Sequence, residues 1–468
     1  MMRYKKMADH LVEDIRQGKV QPGQKLPSLR QLARVNEVSL TTALNCYRHL
    51  EETGWIQALP QSGFYVRKPL DVSGLPEMPA FSCQTTTPIA DHFFHSEEPG
   101  PLGITQLSVE LQPVSKLERS LRRASRSQGS RVCLYPNVQG ELPLRRSLSE
   151  HFGASGFHFQ ASDLVITNGC LDAVRTALEV TTKPGDAVAV SSPCYSGLLQ
   201  LLGGMGRTVV EIPSTMDGLD LRQMELQMQK GGVRAGLFTS SHMNPTGISL
   251  SVEQKQQLAG LANKYRIPII EDDVYHELDH RGAPPLPAYH WDTGGYLLWC
   301  GSISKTLSAG YRLGWCLPGR YLNDYRQQRQ LESLGVNSPL QLSLADFISS
   351  GQYAKHLATL RPLLREQVDQ YRNFLIDHLI PKVRISMPTG GLVLWLQVPG
   401  LNEDEFAILL KRKLLDIRTG VCFSTLNYYT DCLRINCGFP LRDNNGEYSQ
   451  AKKQLEQLVE LINRSVAA

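Results

Sequence analysis

The stretch GSISKTLSAGYRLGW, Gly301 to Trp315, decides how the chain is read. It places Lys305 in a loop rich in serine and glycine, directly after the apolar run Tyr296–Cys300, with Arg312 further along the same loop. A lysine amine condenses with carbonyl compounds, and an arginine guanidinium holds phosphate or carboxylate. Serine, alanine and glycine at 308–310 leave the loop without a stiffening proline. One β-run upstream lies IIEDDVYHEL, Ile269 to Leu278, where Asp272 and Asp273 point to opposite faces if the run is a strand. Further upstream are HMNPTG with Asn244, SPCYSG with Tyr195, and ITNGCLDAV with Gly169 and Cys170. Gly169 falls at a strand-to-helix junction, where backbone amides bind phosphate and glycine permits close approach. LYPNVQGELPLR carries Tyr135, and LRINCG carries Arg434, a residue suited to bidentate capture of a carboxylate.

Around these motifs, short β-rich runs alternate with helical stretches. The runs are Leu164–Thr167, Ala187–Ser191, Val209–Ile212, Gly236–Ser240, Ile267–Glu271 and Tyr296–Cys300. Alternation of this kind argues for an α/β fold with a parallel sheet flanked by helices. From about Gly351 the chain is rich in helix, with an interposed strand at Leu392–Leu396, and reads as a smaller α/β lobe. His276 to His280 spells HExxH, a zinc signature when both histidines share a helical face. Here it follows a β-run directly and meets Arg281-Gly282-Ala283-Pro284-Pro285, so barely one helical turn is available and no metal site is expected.

Residues 1–68 have a different pattern. Tyr4, Met7, Ala8, Leu11, Val12 and Ile15 recur at helical spacing up to Gly18, and Pro22-Gly23 turns the chain. Ser28 is a helix N-cap, and Ser39 opens a further helix ending near Gly54. Trp55–Leu59 and Phe64–Val66 flank Pro60-Gln61-Ser62-Gly63 as a hairpin. This is the outline of a winged helix-turn-helix. Helical spacing alone would put Leu40, Ala43, Leu44, Tyr47 and Leu50 on one core stripe.

Composition bounds the alternatives. The 468 residues suffice for two or more domains, no apolar run approaches the length of a spanning helix, and the N-terminus, Met1-Met2-Arg3-Tyr4-Lys5-Lys6, leads into a polar amphipathic segment with no apolar signal-peptide core. Ten scattered cysteines, none in a CxxC pair, fit reduced thiols in the cytoplasm. Residues 1–70 hold eleven Lys/Arg against six Asp/Glu, whereas 71–100 hold five acids and no Lys or Arg. A basic head suggests an anionic partner. Residues 69–102, with six prolines, read as an acidic linker, loosely ordered and extended in places.

In order and spacing, the motifs of residues 103–468 resemble those of fold-type I aminotransferases, the pyridoxal 5′-phosphate (PLP) enzymes. The resemblance implies that Lys305 bonds the cofactor aldehyde and that Ser302, Arg312, Gly169 and Cys170 lie at its phosphate. It implies Asp272 at the pyridine nitrogen, Tyr275 and Asn244 at the ring phenolate, and Tyr195 stacked on the ring. Tyr135 would reach the phosphate of the neighbouring subunit, and Arg434 would grip a ligand carboxylate. The first 68 residues, through LPSLRQLA, VSLTTALNCYRHLEETGWI and SGFYV, resemble the winged helix of GntR-type regulators. That likeness makes Arg30, Thr41, Thr42, Asn45, Arg48 and Gly63 the candidate DNA contacts. Leu40 and Leu44 stand where such regulators often place arginines, the residues that read guanine bidentately. Head, linker and body together resemble the MocR-type regulators. The expectation is a cytoplasmic homodimer that binds promoter DNA and senses PLP, alone or with an amino acid or amine. The alternative is an active aminotransferase with a secondary DNA-binding head.

Overall fold

The computed structural model describes residues 3–16, 19–21, 23–52, 55–59, 62–66, 74–88, 99–129, 133–215, 218–282, 284–380, 382–443 and 446–467. Gly18, Pro22, Gly54, Pro60, Gln61, Ala283 and the boundary at 68/69 lie outside them. The chain divides into two compact units, Met1–Leu75 and Pro76–Ala468.

In the first unit, α1 (Arg3–Arg16), α2 (Leu29–Val35) and α3 (Leu40–Glu52) precede the antiparallel hairpin of β1 (Ile56–Leu59) and β2 (Gly63–Val66). Ser28 caps α2 reciprocally: its hydroxyl accepts from the Gln31 amide, and the Gln31 side chain accepts from the Ser28 amide. Ser39 accepts from the Thr42 amide at 3.1 Å in front of α3. Ala43, Cys46, Tyr47 and Leu50 of α3 are buried against Ala8, Ile15, Leu32 and Ile56. The five-residue stripe is thereby corrected. Cys46 takes a core place, and Leu40 is 54% exposed, because the buried arc centres between Ala43 and Leu50 and leaves Leu40 off its edge.

The second unit begins with a segment packed along its length, which corrects the loosely ordered reading for residues 76–88. The Glu77 amide donates to the Gln397 side chain, Phe81 stacks on Tyr428 at 4.7 Å, and the Gln223 side chain bonds both Phe81 and Cys83. β3 (Thr85–Thr86) then adds to the edge of the large sheet. α4 (Val114–Gln128) and α5 (Leu142–Gly153) lead into β4 (Val165–Thr167), α6 (Cys170–Thr181), β5 (Ala187–Ser192), α7 (Ser196–Gly204) and β6 (Thr208–Thr215). β7 (Gly218–Leu219), α8 (Leu221–Gln229), β8 (Ala235–Phe238), α9 (Val252–Tyr265), β9 (Ile269–Asp272), β10 (Leu297–Ser302) and β11 (Gly314–Leu317) complete the large lobe's sheet. The sheet order is β3-β6-β5-β8-β9-β10-β11-β4, with β7 paired to β6. From β6 to β10 every pairing is parallel; β11 returns antiparallel between β10 and β4. The sheet is therefore mixed at its edges.

After α10 (Leu322–Glu332), α11 (Ser338–Ser349) and the long α12 (Gln352–His378) comes the smaller lobe. It holds β12 (Arg384–Ile385), β13 (Val393–Gln397), α13 (Glu403–Arg412), β14 (Arg418–Thr419), β15 (Cys432–Asn436) and α14 (Gln450–Ala467). The single expected strand is thus one of four antiparallel strands, ordered β12-β13-β15-β14. Leu394, Leu396, Leu433 and Ile435 pack against Tyr371, Phe406, Leu455 and Leu458 from the helices. Among the described residues, no helix is long and apolar enough to cross a membrane.

Replacing Ser28 by alanine removes one half of the α2 cap. Denaturant titration should show a loss of about 1 kcal/mol for the transition that reports the head, with Ser28→Asp retaining most of it.

Candidate cofactor and effector site

In open α/β sheets ligands bind beyond the carboxyl ends of parallel strands. The turns leaving β5, β8, β9 and β10 carry Tyr195, Asn244, Tyr275 and Lys305 to one such edge. Asp272, the last residue of β9, is buried, and its Oδ1 accepts the Cys170 thiol at 3.0 Å. Burial raises its pKa, against the hydrogen bond from Cys170. Asp273 faces elsewhere: Trp299 Nε1 donates to it at 3.0 Å, and His276 Nδ1 lies 2.8 Å away. The Tyr275 hydroxyl accepts from Asn244 Nδ2 at 3.3 Å, and burial raises that phenol's pKa. Tyr195, half-buried ahead of α7, is raised by burial, with Arg434 opposing.

The start of α6 has no side-chain cap, and Gly169 precedes it at φ 93°. A Cβ there would lie 2.6 Å from Arg312 Nη2, and a Cβ on Gly314 would lie 2.5 Å from the Gly169 carbonyl carbon. Two glycines therefore let the Arg312 loop sit against the helix start. Arg312 is exposed, holds φ 50°, and donates from Nη2 to the Asn168 carbonyl at 3.3 Å. Ser302, at the end of β10, is buried and accepts from the Ser304 amide at 3.2 Å. Uncapped amides beside a guanidinium make a cradle for an anion such as phosphate.

Lys305 is half-buried, and its Nζ donates to the Thr105 carbonyl. Burial first, then the positive charge of Arg434, lower its pKa to about 8, with Asp272 opposing. Arg434, buried on β15, donates from Nη1 to Thr105 Oγ1 and from Nη2 to the Gly103 carbonyl. The pocket thus gathers Lys305, Asp272, Tyr275, Asn244, Tyr195, Gly169, Cys170, Ser302, Arg312 and Arg434. Tyr135 stands apart and is 86% exposed. Sequence reading missed Gly103 and Thr105, which lie at the end of a stretch with no periodic pattern, and it missed the bond from Cys170 to Asp272.

The HExxH residues take separate partners instead of converging. His276 meets Asp273, Glu277 Oε1 lies 2.6 Å from His151, and His280 Nε2 lies 3.0 Å from the Gly391 carbonyl. On the head, Thr41, Asn45 and Arg48 are exposed on α3, and Arg30 is exposed on α2. Thr42 is half-buried, its hydroxyl 2.8 Å from that of Ser39. Gly63 begins β2 at φ 112°, and the exposed Lys25 bridges to Tyr65 beside it. Lys25 is a basic group that the motif reading passed over.

Fold and site together define a PLP-enzyme type of body that follows a helix-turn-helix head in the chain. The model of the family described as aminotransferase class I and II matches residues 102–445, and that of bacterial regulatory proteins, gntR family, matches 3–66. The chain belongs to the aminotransferase class I and II family, and with its gntR-family head it has the MocR-type regulator architecture. It is 32% identical to the HTH-type transcriptional regulator YdcR of Escherichia coli (strain K12), over 98% of this chain and 99% of that protein. YjiR of the same strain, another HTH-type transcriptional regulator, is also 32% identical, with 98% and 99% covered. Among solved structures, Pyrococcus horikoshii kynurenine aminotransferase in complex with PMP matches 79% of this chain and 91% of its own, at TM-score 0.70 and 22% identity. LysN, the α-aminoadipate aminotransferase of Thermus thermophilus, complexed with N-(5′-phosphopyridoxyl)-L-leucine, matches 78% and 91% at TM-score 0.69 and 21% identity. These two likenesses concern the fold.

An amine with a pKa of about 8 is largely neutral at a pH where ordinary lysines are still protonated. In PLP-free protein, labelling of Lys305 by an acylating reagent should rise about tenfold per pH unit and level off above about pH 8. Exposed lysines should keep rising towards about pH 10.4, as peptide mass spectrometry would show.

Proposed function

We propose that this chain is a PLP-dependent transcriptional regulator, cytoplasmic and homodimeric, whose body holds PLP and an amino compound and whose head binds promoter DNA. The observation that carries the reading is one chain with both a winged helix and a pocket gathering Lys305, Asp272, Tyr275, Asn244 and the Gly169–Arg312 cradle. PLP fits these residues. Asp272 is a buried carboxylate with a raised pKa, which a protonated ring nitrogen would stabilise in its charged form. The uncapped start of α6 and Arg312 suit its phosphate, and Lys305 is an amine made nucleophilic by its lowered pKa. When bound, PLP supplies an aldehyde that bonds amines and a ring that withdraws electrons from that bond.

Around the cofactor the side chains divide the work. Asn244 and the Tyr275 hydroxyl orient the ring's phenolate edge, Tyr195 covers its face, and Arg434 takes the effector's carboxylate. The exposure of Leu134 and Tyr135 supports a second subunit that covers them, with Tyr135 completing its neighbour's phosphate site. On the head, Thr41, Asn45 and Arg48 of α3 meet the major groove, with Thr42 at the backbone, Arg30 on phosphate and the Gly63 wing alongside. Leu40, exposed next to Thr41, offers an apolar contact to a thymine methyl in place of a guanine-reading arginine. The effector changes DNA affinity by the difference in its interaction with two arrangements of the protein.

Fluorescence anisotropy with promoter DNA at fixed salt tests this. PLP-loaded and PLP-free protein should differ in affinity by about fivefold or more. Lys305→Ala should abolish the response; equal, PLP-indifferent binding by both proteins would overturn the reading. Arg48→Ala should weaken binding to all sequences and lower the salt slope by about one, whereas Asn45→Ala should cost about 1–3 kcal/mol at one base position. The same complete pocket favours a second reading, an active aminotransferase, and formation of an oxo acid from an amino acid tests it.

A further inference from the structure

Residues 100–106 run against Arg434 and Lys305 instead of leading past them. Leu102 is buried in the small-lobe core, and Leu107 is buried in a cluster with Tyr275 and Leu278. Between these anchors the Gly100 amide donates to Asp416 Oδ2 at 3.0 Å. Asn436 Nδ2 donates to the Pro101 carbonyl at 2.9 Å and the Gln106 carbonyl at 3.3 Å, and the Asn436 amide donates to the Leu102 carbonyl at 2.8 Å. The seat is tight: a Cβ on Gly103 would lie 2.2 Å from Asp416 Cγ. At its centre, Gly103 O and Thr105 Oγ1 occupy two nitrogens of Arg434, while Thr105 O occupies Lys305 Nζ.

On Arg434 the segment makes the bonds a ligand carboxylate would need. Two oxygens, one a carbonyl, face one guanidinium edge as the two oxygens of a carboxylate do. The oxygens on Arg434 are neutral, whereas a ligand carboxylate carries a full negative charge and adds a Coulombic attraction that a carbonyl or hydroxyl dipole lacks. Arg434 is buried, and burial lowers its pKa, so its charge is poorly compensated by these dipoles.

We propose that Gly103–Thr105 is a built-in competitor for the carboxylate end of the effector site, a latch that a ligand's carboxylate displaces from Arg434. This rests on the reading of Arg434 and Lys305 given above. An amine without a carboxylate leaves Arg434 bonded to the latch; the bond from Lys305 to the Thr105 carbonyl belongs to the PLP-free protein, since the cofactor aldehyde would take up that amine. The latch sets a threshold concentration for the effector and selects its class. Because the same segment is anchored through Leu102 to the small lobe, displacing it also alters what holds that lobe to the large-lobe pocket.

Two full-length variants test this. Gly103→Ala unseats the latch sterically, and Thr105→Val removes one of the two oxygens that Arg434 bonds while keeping the side chain's shape. Hydrogen exchange in peptides covering 100–108 should be at least tenfold faster in both than in wild type, with the β5 and β8 peptides unchanged. PLP-loaded proteins are then titrated with the twenty protein amino acids and, separately, with their decarboxylated amines, following the visible absorbance of bound PLP. The expected result is a half-effect concentration at least fivefold lower for amino acids in both variants, with the amines unshifted. A response to amino acids in the variants but not in wild type supports the latch equally. Unchanged or weaker responses in the variants, or no response in any protein, would overturn it, as would wild-type exchange in 100–108 as fast as in an unstructured peptide. PLP loading and DNA affinity, measured on the same samples, judge the proposed function separately. Exchange in 100–108 of unliganded protein does not depend on either.

Discussion

The parallel pairing of β5, β8, β9 and β10 is the constraint on which the pocket depends. Val188 lies opposite Ala235, Gly236 opposite Ile269, and Ile269 opposite Leu297, so the strands are held in step and their carboxyl ends share one edge. Residues far apart in the chain, from Tyr195 to Lys305, arrive there because each follows one of these strands. β11 contributes through its reversal. Running back beside β10, it lays Gly314 against Gly169 and brings Arg312 to the uncapped start of α6. A side chain at either glycine would separate the guanidinium from the helix amides.

The charge balance of the pocket follows from this convergence. Lys305, Arg312 and Arg434 are cationic, and Asp272 is the carboxylate among the gathered residues. The pKa of Lys305 falls because a further positive charge is costly in a desolvated place that already holds guanidinium groups. On the proposed function, such a site suits a ligand that arrives with negative charge at two points, a phosphate at one end and a carboxylate at the other. Asp272 is the counterpart, a buried carboxylate supported by a thiol and suited to a cationic ring atom.

Much of this could be read from the sequence because it lies in motifs with strong local form. Apolar runs such as Ala187–Ser191 announced the central strands, since fully buried strands need apolar residues on both faces. The loops after them carry side chains whose chemistry is specific. What could not be read has a different physical basis. β12 and β14 have two residues each and no period to detect. Gly103 and Thr105 meet Arg434 and Lys305 largely through carbonyl oxygens, which every residue possesses, so no residue type marks the contact. The packed segment 76–88 is held by pairs such as Phe81 with Tyr428, whose partners lie hundreds of residues away. The exposure of Leu40 illustrates the opposite error, in which spacing alone extended an apolar stripe by one turn too many.

β3 is only two residues long, yet it forms the outermost rung of the large sheet against Val209 and Val210. A body fragment begun at 103, where the motif pattern suggests a boundary, would lack that rung and uncover an unpaired, apolar strand edge. Open edges of this kind invite pairing with other chains. It would also expose the ring of Tyr428 that Phe81 covers. Anyone dissecting the protein should therefore cut before Pro76, because the stretch that reads as a tether serves the body as its selvedge.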